Sequence, residues 1–307
     1  MPMRTRFRGL DRREGVLLRG PAGWGEFSPF WEYGHVEAAR WLAAAREAAD
    51  LGFPTPLRER IPVNVTIPAV GPARAQQLVL ASGGCRTAKV KVAEPGQSLT
   101  EEQDRLAAVR EVLGRDGAIR IDANGAWDSD TAVDRLRALD KAAGGLEYAE
   151  QPCASVAELA DVRARSRVPI AADESIRRAE DPLAVARAQA ADVVVLKVQP
   201  LGGVRAALAI AEEIGLPVVV SSALESSVGI AAGVALAAAL PQLPFACGLS
   251  TVQLLAGDVT DRPLLPRDGA LDVRTVVPDE AALAAVAADA ETQRRWWERI
   301  TAVTELA

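Results

Sequence analysis

The sequence predicts an α/β protein built as a closed TIM-type (β/α) barrel. Short runs rich in β-branched residues alternate with longer segments of helical period along most of the chain. Eight such runs recur at intervals of roughly 25 to 30 residues, and eight units favour a closed barrel over an open doubly wound sheet. No GxGxxG motif follows the first run and no GxxxxGK[ST] motif occurs, which disfavours a nucleotide-binding open sheet.

The elements of the barrel are predicted in chain order over residues 61–277. The predicted strands are Val63–Thr66, Thr87–Val92, Ala118–Asp122, Leu146–Glu150, Pro169–Asp173, Val193–Val198, Pro217–Ser221 and Pro244–Gly248. The predicted helices between them are Arg74–Ser82, Glu101–Gly114, Asp130–Ala143, Val156–Arg165, Pro182–Ala190, Val204–Ile214 and Gly229–Leu240.

Residues 1–60 do not follow this alternation and predict a small, shortened α+β capping segment. It reads as a hairpin over Arg4–Leu18, a glycine- and aromatic-rich stretch over Gly23–Tyr33, and a helix over Val36–Asp50. The tail, residues 278–307, is predicted to add one or two helices that pack beside this cap.

Composition excludes several classes of function. The formal net charge of −6 argues against a nucleic-acid surface. The longest apolar run, Val228–Leu240, is too short to cross a bilayer, and the N-terminus lacks the apolar core of a signal peptide. Three cysteines without close pairing indicate reduced thiols and a cytoplasmic protein. We expect a monomer or a small homo-oligomer.

Histidine and lysine are both scarce, which restricts the chemistry further. The only histidine is His35, so a multi-histidine metal site within one chain is excluded. Only four of the 35 basic residues are lysines: Lys89, Lys91, Lys141 and Lys197. Lysine, unlike arginine, can lose its proton when its pKa is depressed, so these positions are candidates for proton transfer.

Polar residues follow the predicted strands at the barrel edge where active sites lie. Lys89 and Lys91 are two apart on one strand and therefore share its inner face. The next three strands end in carboxylates, Asp122 (with Asn124), Glu150 and Asp173. Three hard oxygen ligands around one point suit Mg²⁺, or Mn²⁺ as the alternative, better than Zn²⁺.

These motifs together resemble the enolase superfamily, in its muconate-lactonizing-enzyme-like subgroup. The matching set is KxK at Lys89, DxN at Asp122, EQP at Glu150, DES at Asp173, LKxxxxGG at Lys197 and SSxxES at Ser221. The resemblance implies a modified (β/α)7β barrel with a capping domain and a small-molecule carboxylate substrate. It implies Mg²⁺ bound by Asp122, Glu150 and Asp173, Lys91 as the acid/base, and Lys197 on the opposite side of the substrate.

Within that subgroup the chain is similar to the o-succinylbenzoate synthase family of menaquinone biosynthesis. The implied reaction is a syn dehydration that begins with removal of a proton next to a carboxylate and passes through a metal-stabilised enediolate. We hypothesise that Lys89 tunes Lys91, because a nearby cation disfavours a second protonated amine. Asn124, Ser221, Ser222 and Gly248 are expected to support the site or the substrate, and Gly23–Phe30 resembles the family's mobile loop.

Alternative reactions on the same scaffold remain open. An N-acylamino-acid racemase uses the same two lysines and is the main alternative. A dipeptide epimerase ranks lower, because Cys247–Thr251 contains no acidic residue to bind a substrate ammonium group, and a cycloisomerase shares the scaffold. Histidine-dependent racemases and dehydratases are disfavoured because His35 precedes the barrel. A non-enzymatic binding barrel would have no need of both the carboxylates and the lysines.

Overall fold

The N-terminal part of the chain consists of two antiparallel hairpins and a helix. A computed structural model describes residues 1–7, 9–178 and 181–306. Its first elements are β1 (Pro2–Phe7), β2 (Leu10–Arg12), β3 (Val16–Gly20), β4 (Gly23–Phe27) and α1 (His35–Arg46), which continues into a π-helical turn, Glu47–Leu51. Strand β1 pairs with β2, and β3 pairs with β4. The hairpin predicted over Arg4–Leu18 is therefore wrong, because that range contains parts of two separate hairpins.

Strands and helices alternate through the rest of the chain. They are β5 (Arg60–Pro62), β6 (Asn64–Ile67), α2 (Pro72–Leu80), β7 (Thr87–Lys91), α3 (Leu99–Leu113), β8 (Ala118–Asp122), α4 (Ser129–Ala143), β9 (Ala149–Glu150), α5 (Val156–Arg165), β10 (Ile170–Ala172), α6 (Glu174–Arg177), α7 (Ala184–Arg187), β11 (Val193–Leu196), α8 (Val198–Leu201), α9 (Val204–Ile214), β12 (Val218–Val220), α10 (Ser227–Ala239), a 3₁₀ turn (Thr251–Leu254), β13 (Ala270–Asp272), α11 (Glu280–Val286) and α12 (Ala290–Thr304).

A seven-stranded parallel sheet runs from β6 to β12 in chain order, and residues 247–248 join its two edges. The Cys247 amide donates to Pro62 O at 2.7 Å, and the Gly248 amide donates to Val220 O at 2.8 Å. The strand predicted over Pro244–Gly248 is thus reduced to two isolated bridges. Proline has no N–H for a ladder, which limits pairing at the start of that segment. The chain therefore has the TIM-type α/β fold predicted for it.

Local sequence explains where the barrel helices begin. Ser98, Asp128 and Ser155 each accept a hydrogen bond from a backbone amide in the first turn of α3, α4 and α5, respectively. Such caps satisfy donors that lack a partner within the helix. The sheet strands are buried on both faces, as parallel strands between helices must be. Among the described residues, no helix is long and apolar enough to cross a membrane.

The C-terminal helix α12 packs on the N-terminal hairpins through Trp296. Its ring stands edge-on to Phe27 at 5.9 Å and lies 4.9 Å from Trp31. Its indole N–H donates to Glu14 Oε2 at 3.1 Å. The neighbouring Trp297 is 66% exposed, whereas Trp296 is 3% exposed. The tail and the N-terminal segment therefore share one aromatic cluster.

Candidate active site

The two lysines of the KxK motif lie at the C-terminal end of strand β7. Parallel pairing sets Lys89 beside Thr66 of β6 and Lys91 beside Asp122 of β8. Both lysine side chains are buried. Burying an ammonium group is costly unless it is paired, so the carboxylates around these lysines determine whether the arrangement is stable.

Three buried carboxylates lie at the ends of the next three strands. Asp122 ends β8, Glu150 ends β9 in register with it, and Asp173 directly follows β10. None is more than 1% exposed. Because neighbouring parallel strands end at the same edge of the sheet, successive strand ends bring these side chains together.

Each carboxylate is paired with a lysine. Lys89 Nζ lies 3.1 Å from Asp122 Oδ2 and 2.9 Å from Glu150 Oε1. Lys91 Nζ lies 2.6 Å from Asp122 Oδ2 and also donates to the side-chain oxygen of Asn124. Lys197, directly after β11, donates to Asp173 Oδ2 at 2.6 Å. The six charged residues form a network of two neighbouring groups at the end of the barrel, one around Asp122 and Glu150 and the other at Asp173.

The network shifts the pKa of its members in opposite directions. Burial opposes the negative charge of Asp122, but Lys91 and Lys89 outweigh it and hold its pKa far below the usual range. Burial and the nearby Asp122 raise the pKa of Glu150 to about 7. Burial also lowers the pKa of Lys197, whereas it is outweighed at Lys89, where Glu150 and Asp122 raise the pKa. The site therefore holds carboxylates of very different acidity side by side.

Arg177 connects this network to the N-terminal segment. Its Nε donates to Asp173 Oδ1 at 3.0 Å, and its Nη1 donates to the hydroxyl of Tyr33 at 2.5 Å. Burial opposes the charge of Asp173, but Arg177 and Lys197 lower its pKa to about 2. Asp173 is thereby kept ionised and oriented by contacts from two sides.

The donor set fits a hard divalent cation in its chemistry. Among the described residues, no three His, Cys, Asp or Glu side chains form a ready-made metal cage. The Lys89 ammonium group nevertheless bridges Asp122 and Glu150, so one cation reaches oxygens of both. Asp173, at the end of the next strand, already faces two cations. Carboxylate oxygens of this kind suit Mg²⁺.

A small cavity of about 30 Å³ lies above the lysines, and Phe7 covers it. The predicted site residues in its wall are Lys89, Lys91, Asp122, Asn124, Lys197, Ser221, Ser222 and Gly248. Glu150 and Asp173 are not in the wall and reach it through Lys89 and Lys197. A larger cavity of about 720 Å³, between the N-terminal strands and the tail, contains none of these residues.

The segment predicted to act as a mobile loop does not lie over this cavity. Gly23–Phe27 forms the paired strand β4, and Phe27 is fully buried. The cover comes instead from the β1–β2 hairpin, where the Phe7 ring centroid lies 5.4 Å from Lys91 Nζ. The expectation for Gly23–Phe30 is therefore wrong in this structure, since the stretch is held as a strand whose Gly25 lies directly against the backbone of Ala45 in α1.

Sequence reasoning did not identify Phe7, Arg177 or Gln151 as site residues. Gln151 has a φ of +40° and accepts from the Asp173 amide at 2.9 Å, while donating to the Ser175 hydroxyl at 2.7 Å. Its position directly after Glu150, within the EQP motif, is the sequence feature that could have identified it. Phe7 and Arg177 have no such signal, because their contacts join distant parts of the chain.

Comparison with known proteins agrees with this geometry. The Enolase C-terminal domain-like family matches residues 72–280, and the Enolase N-terminal domain-like family matches residues 1–49. The o-succinylbenzoate synthase of Thermobifida fusca (strain YX) is 65% identical over 302 residues, which is 98% of this chain and 93% of that protein. The o-succinylbenzoate synthase of Mycobacterium marinum is 57% identical over 304 residues, covering 98% and 91%.

Solved structures with the same fold are also found. A muconate lactonizing enzyme from Pseudomonas fluorescens complexed with muconolactone matches with a TM-score of 0.78 and 25% identity, covering 92% of this chain and 94% of that one. The L-Ala-D/L-Glu epimerase of Bacillus subtilis, in a substrate-liganded complex, matches with a TM-score of 0.74 and 22% identity, covering 91% and 93%. At the latter identity the likeness concerns the fold alone.

Proposed function

The chain belongs to the enolase superfamily and, within it, to the o-succinylbenzoate synthases, and we propose that Lys91 and Lys197 perform this family's reaction. The protein is a hydro-lyase of menaquinone biosynthesis that converts 2-succinyl-6-hydroxy-2,4-cyclohexadiene-1-carboxylate to 2-succinylbenzoate. The observation that carries the residue assignment is the charged network in which each carboxylate at a strand end is paired with a buried lysine.

Members of this superfamily use a divalent metal, and we propose Mg²⁺ held by Asp122, Glu150 and Asp173. When bound, the cation would supply positive charge next to the substrate carboxylate. It would take over the charge compensation that Lys91 provides to Asp122, leaving the Lys91 amine free to accept a proton.

The mechanism assigned to this chain's residues is a syn elimination. Neutral Lys91 accepts the proton from the carbon next to the carboxylate and then delivers it to the departing hydroxyl, so one residue serves both steps. Lys197, held by Asp173, remains on the opposite face as a cation and stabilises the negative charge that develops on the substrate. Lys89 stays charged between Glu150 and Asp122, and Asn124 orients Lys91.

The substrate end that lies away from the metal is assigned to the loop after β12. Ser221, Ser222 and Gly248 lie in the wall of the same cavity as the lysines, which supports contacts to the succinyl group. We further propose that residues 1–60 with 278–307 form the cap over a barrel of residues 61–277, and that the protein is cytoplasmic. Its three cysteines are free and buried, which fits a reducing compartment.

The test is the activity of Lys91→Ala and Lys197→Ala on the cyclohexadiene substrate with Mg²⁺. Each should lose at least about 10³-fold in kcat, because each removes a group that acts on the reacting atoms. Binding of Mn²⁺, followed by electron paramagnetic resonance, should persist in both. Lys141→Ala, at the end of helix α4, is the control and should retain full activity.

Full turnover by Lys91→Ala would overturn the assignment. Parallel assays with N-succinyl amino acids examine the racemase alternative, which is also favoured by the placement of one lysine at the end of β7 and the other directly after β11. Loss of optical activity of an N-succinyl amino acid with the wild type, absent in both lysine variants, would establish that second activity, because inversion requires a base on each face.

A further inference from the structure

Two side chains of helix α3 bind the backbone at the end of strand β7 and two residues beyond it. Arg105 Nη1 donates to the carbonyl oxygen of Lys91 at 2.7 Å. Glu102 Oε1 accepts from the amide of Ala93 at 2.5 Å. Both side chains belong to residues that are only 1% exposed. Residues three apart lie on the same face of a helix, so α3 presents the two groups together.

Arg105 also fixes the loops next to Lys91. Its Nε donates to Val70 O at 2.6 Å, in the connection after β6, and its Nη2 donates to Gln97 Oε1 at 2.5 Å. Three acceptors from three segments thus converge on one guanidinium group. A lysine ammonium is a point charge on a flexible stem and cannot reproduce this planar arrangement.

The chain leaves β7 in a conformation that needs such support. Ala93 has a φ of +61°, in the left-handed region that residues other than glycine rarely adopt. Strained backbone of this kind persists only where its surroundings hold it in place. The bond from Ala93 to Glu102 supplies that hold, two residues after Lys91.

We propose that Glu102 and Arg105 are positioning residues that set the place of the Lys91 amine through its backbone. Neither residue lies in the cavity wall, and they act on Lys91 only through the backbone at Lys91 and Ala93. This inference rests on the proposed role of Lys91. It assigns a part in the reaction to two residues of α3 that belong to none of the motifs recognised in the sequence.

The first experiment compares Arg105→Lys with Arg110→Lys. Arg110 lies on the same helix and likewise donates to backbone carbonyls, those of Ala143, Gly114 and Gly117, at the far end of α3. Arg105→Lys should lower kcat by roughly 10- to 100-fold with KM changed less than threefold, since a misplacement near 1 Å costs about that much. Arg110→Lys should keep kcat within twofold, whatever its thermal unfolding temperature.

The second experiment uses Glu102 and remains informative if Arg105→Lys does not fold. Glu102→Met keeps the length of the side chain but removes the acceptor for Ala93, so kcat should fall roughly tenfold. Glu102→Gln keeps an acceptor oxygen and should recover most of that loss. All rates are measured at temperatures where circular dichroism shows each variant folded.

The outcomes separate this inference from the proposed function. If Lys91→Ala is inactive while Arg105→Lys and Glu102→Met match Arg110→Lys in kcat, the positioning role is wrong and the assignment of Lys91 stands. If Lys91→Ala is fully active, the proposed function of Lys91 is wrong, and the positioning role that rests on it is wrong as well. A loss confined to KM in the α3 variants would also contradict the positioning role.

Discussion

Two buried glutamates, Glu225 and Glu26, have pKa values that are raised by their surroundings. Glu225, in the loop after β12, accepts a hydrogen bond from the Ala223 amide at 2.6 Å. Burial, followed by repulsion from Glu26, raises the pKa of Glu225 to about 7. Glu26 is itself buried, which raises its pKa, and it accepts from Ser226 and Gly229 at the start of α10. The two acids lie where the N-terminal strands meet the barrel.

Glu225→Gln should reduce the pH dependence of stability. The pKa of Glu225 in the folded protein lies above its ordinary value of 4.5. Between the two values the folded protein binds more protons, so the free energy of unfolding falls as pH rises from about 4.5 to 7. In Glu225→Gln, the decrease in the free energy of unfolding over this pH range should be smaller by up to about 3 kcal/mol.

The measurement is urea denaturation at pH 5 and pH 8. The same substitution at the exposed Glu298 is the control and should leave the pH dependence unchanged. An equal fall in the wild type and in Glu225→Gln would show that Glu225 does not titrate in this range.

At the scale of elements, the short β1–β2 hairpin closes the active-site cavity. Phe7 ends β1 and lies over Lys91, with Leu10 as its partner across the turn. The enclosed volume of about 30 Å³ is far below the roughly 300 Å³ or more of typical ligand pockets. Entry of a substrate therefore requires displacement of the Phe7 ring, and its return would exclude water from the lysines.

Phe7→Ala should lower kcat/KM by about tenfold, equivalent to about 1.4 kcal/mol. The ring both covers the cavity and contacts the Lys91 ammonium group, so its loss admits water where charge develops. Leu10→Ala, on the same hairpin but outside the cavity wall, should stay within twofold of the wild type in a steady-state assay. Equal losses in the two variants would point to damage of the hairpin rather than loss of the cover.

At the scale of the whole molecule, the C-terminal helix supports the active site from a distance. Arg299 of α12 donates to the carbonyl oxygens of Pro29, Phe30 and Tyr33. Tyr33 in turn accepts from Arg177, which holds Asp173. One chain of hydrogen bonds therefore connects the tail, the N-terminal segment and a proposed metal ligand.

Trp296→Ala should destabilise the protein by about 3 to 5 kcal/mol, as deletion of a large buried aromatic side chain usually does. Trp297→Ala should change the free energy of unfolding by less than about 0.5 kcal/mol, because that ring is 66% exposed. Guanidinium denaturation of the two variants gives the comparison directly. Equal effects would mean that the aromatic cluster does not anchor the tail.

Much of the barrel could be predicted because its signals are local. Strand Ala118–Asp122 and helices Val156–Arg165 and Val204–Ile214 have the predicted bounds, since β-branched runs and helical periodicity are read within one segment. The eighth strand and the N-terminal hairpins were misjudged. Their pairing depends on partners far along the chain, as in the bridges of Cys247 to Val63 and Gly248 to Ser221.

The family, the barrel and the chemical inventory of the site could all be read from the amino-acid sequence. The ordered motifs and the scarcity of lysine and histidine are properties of residue type and spacing, which need no coordinates. The folded structure was needed to show that Phe7, rather than Gly23–Phe30, covers the cavity. It was also needed to show that Arg105 binds the backbone of Lys91 and that Arg177 binds the carboxylate of Asp173. Such contacts depend on how separate elements pack, and packing is a property of the folded chain as a whole.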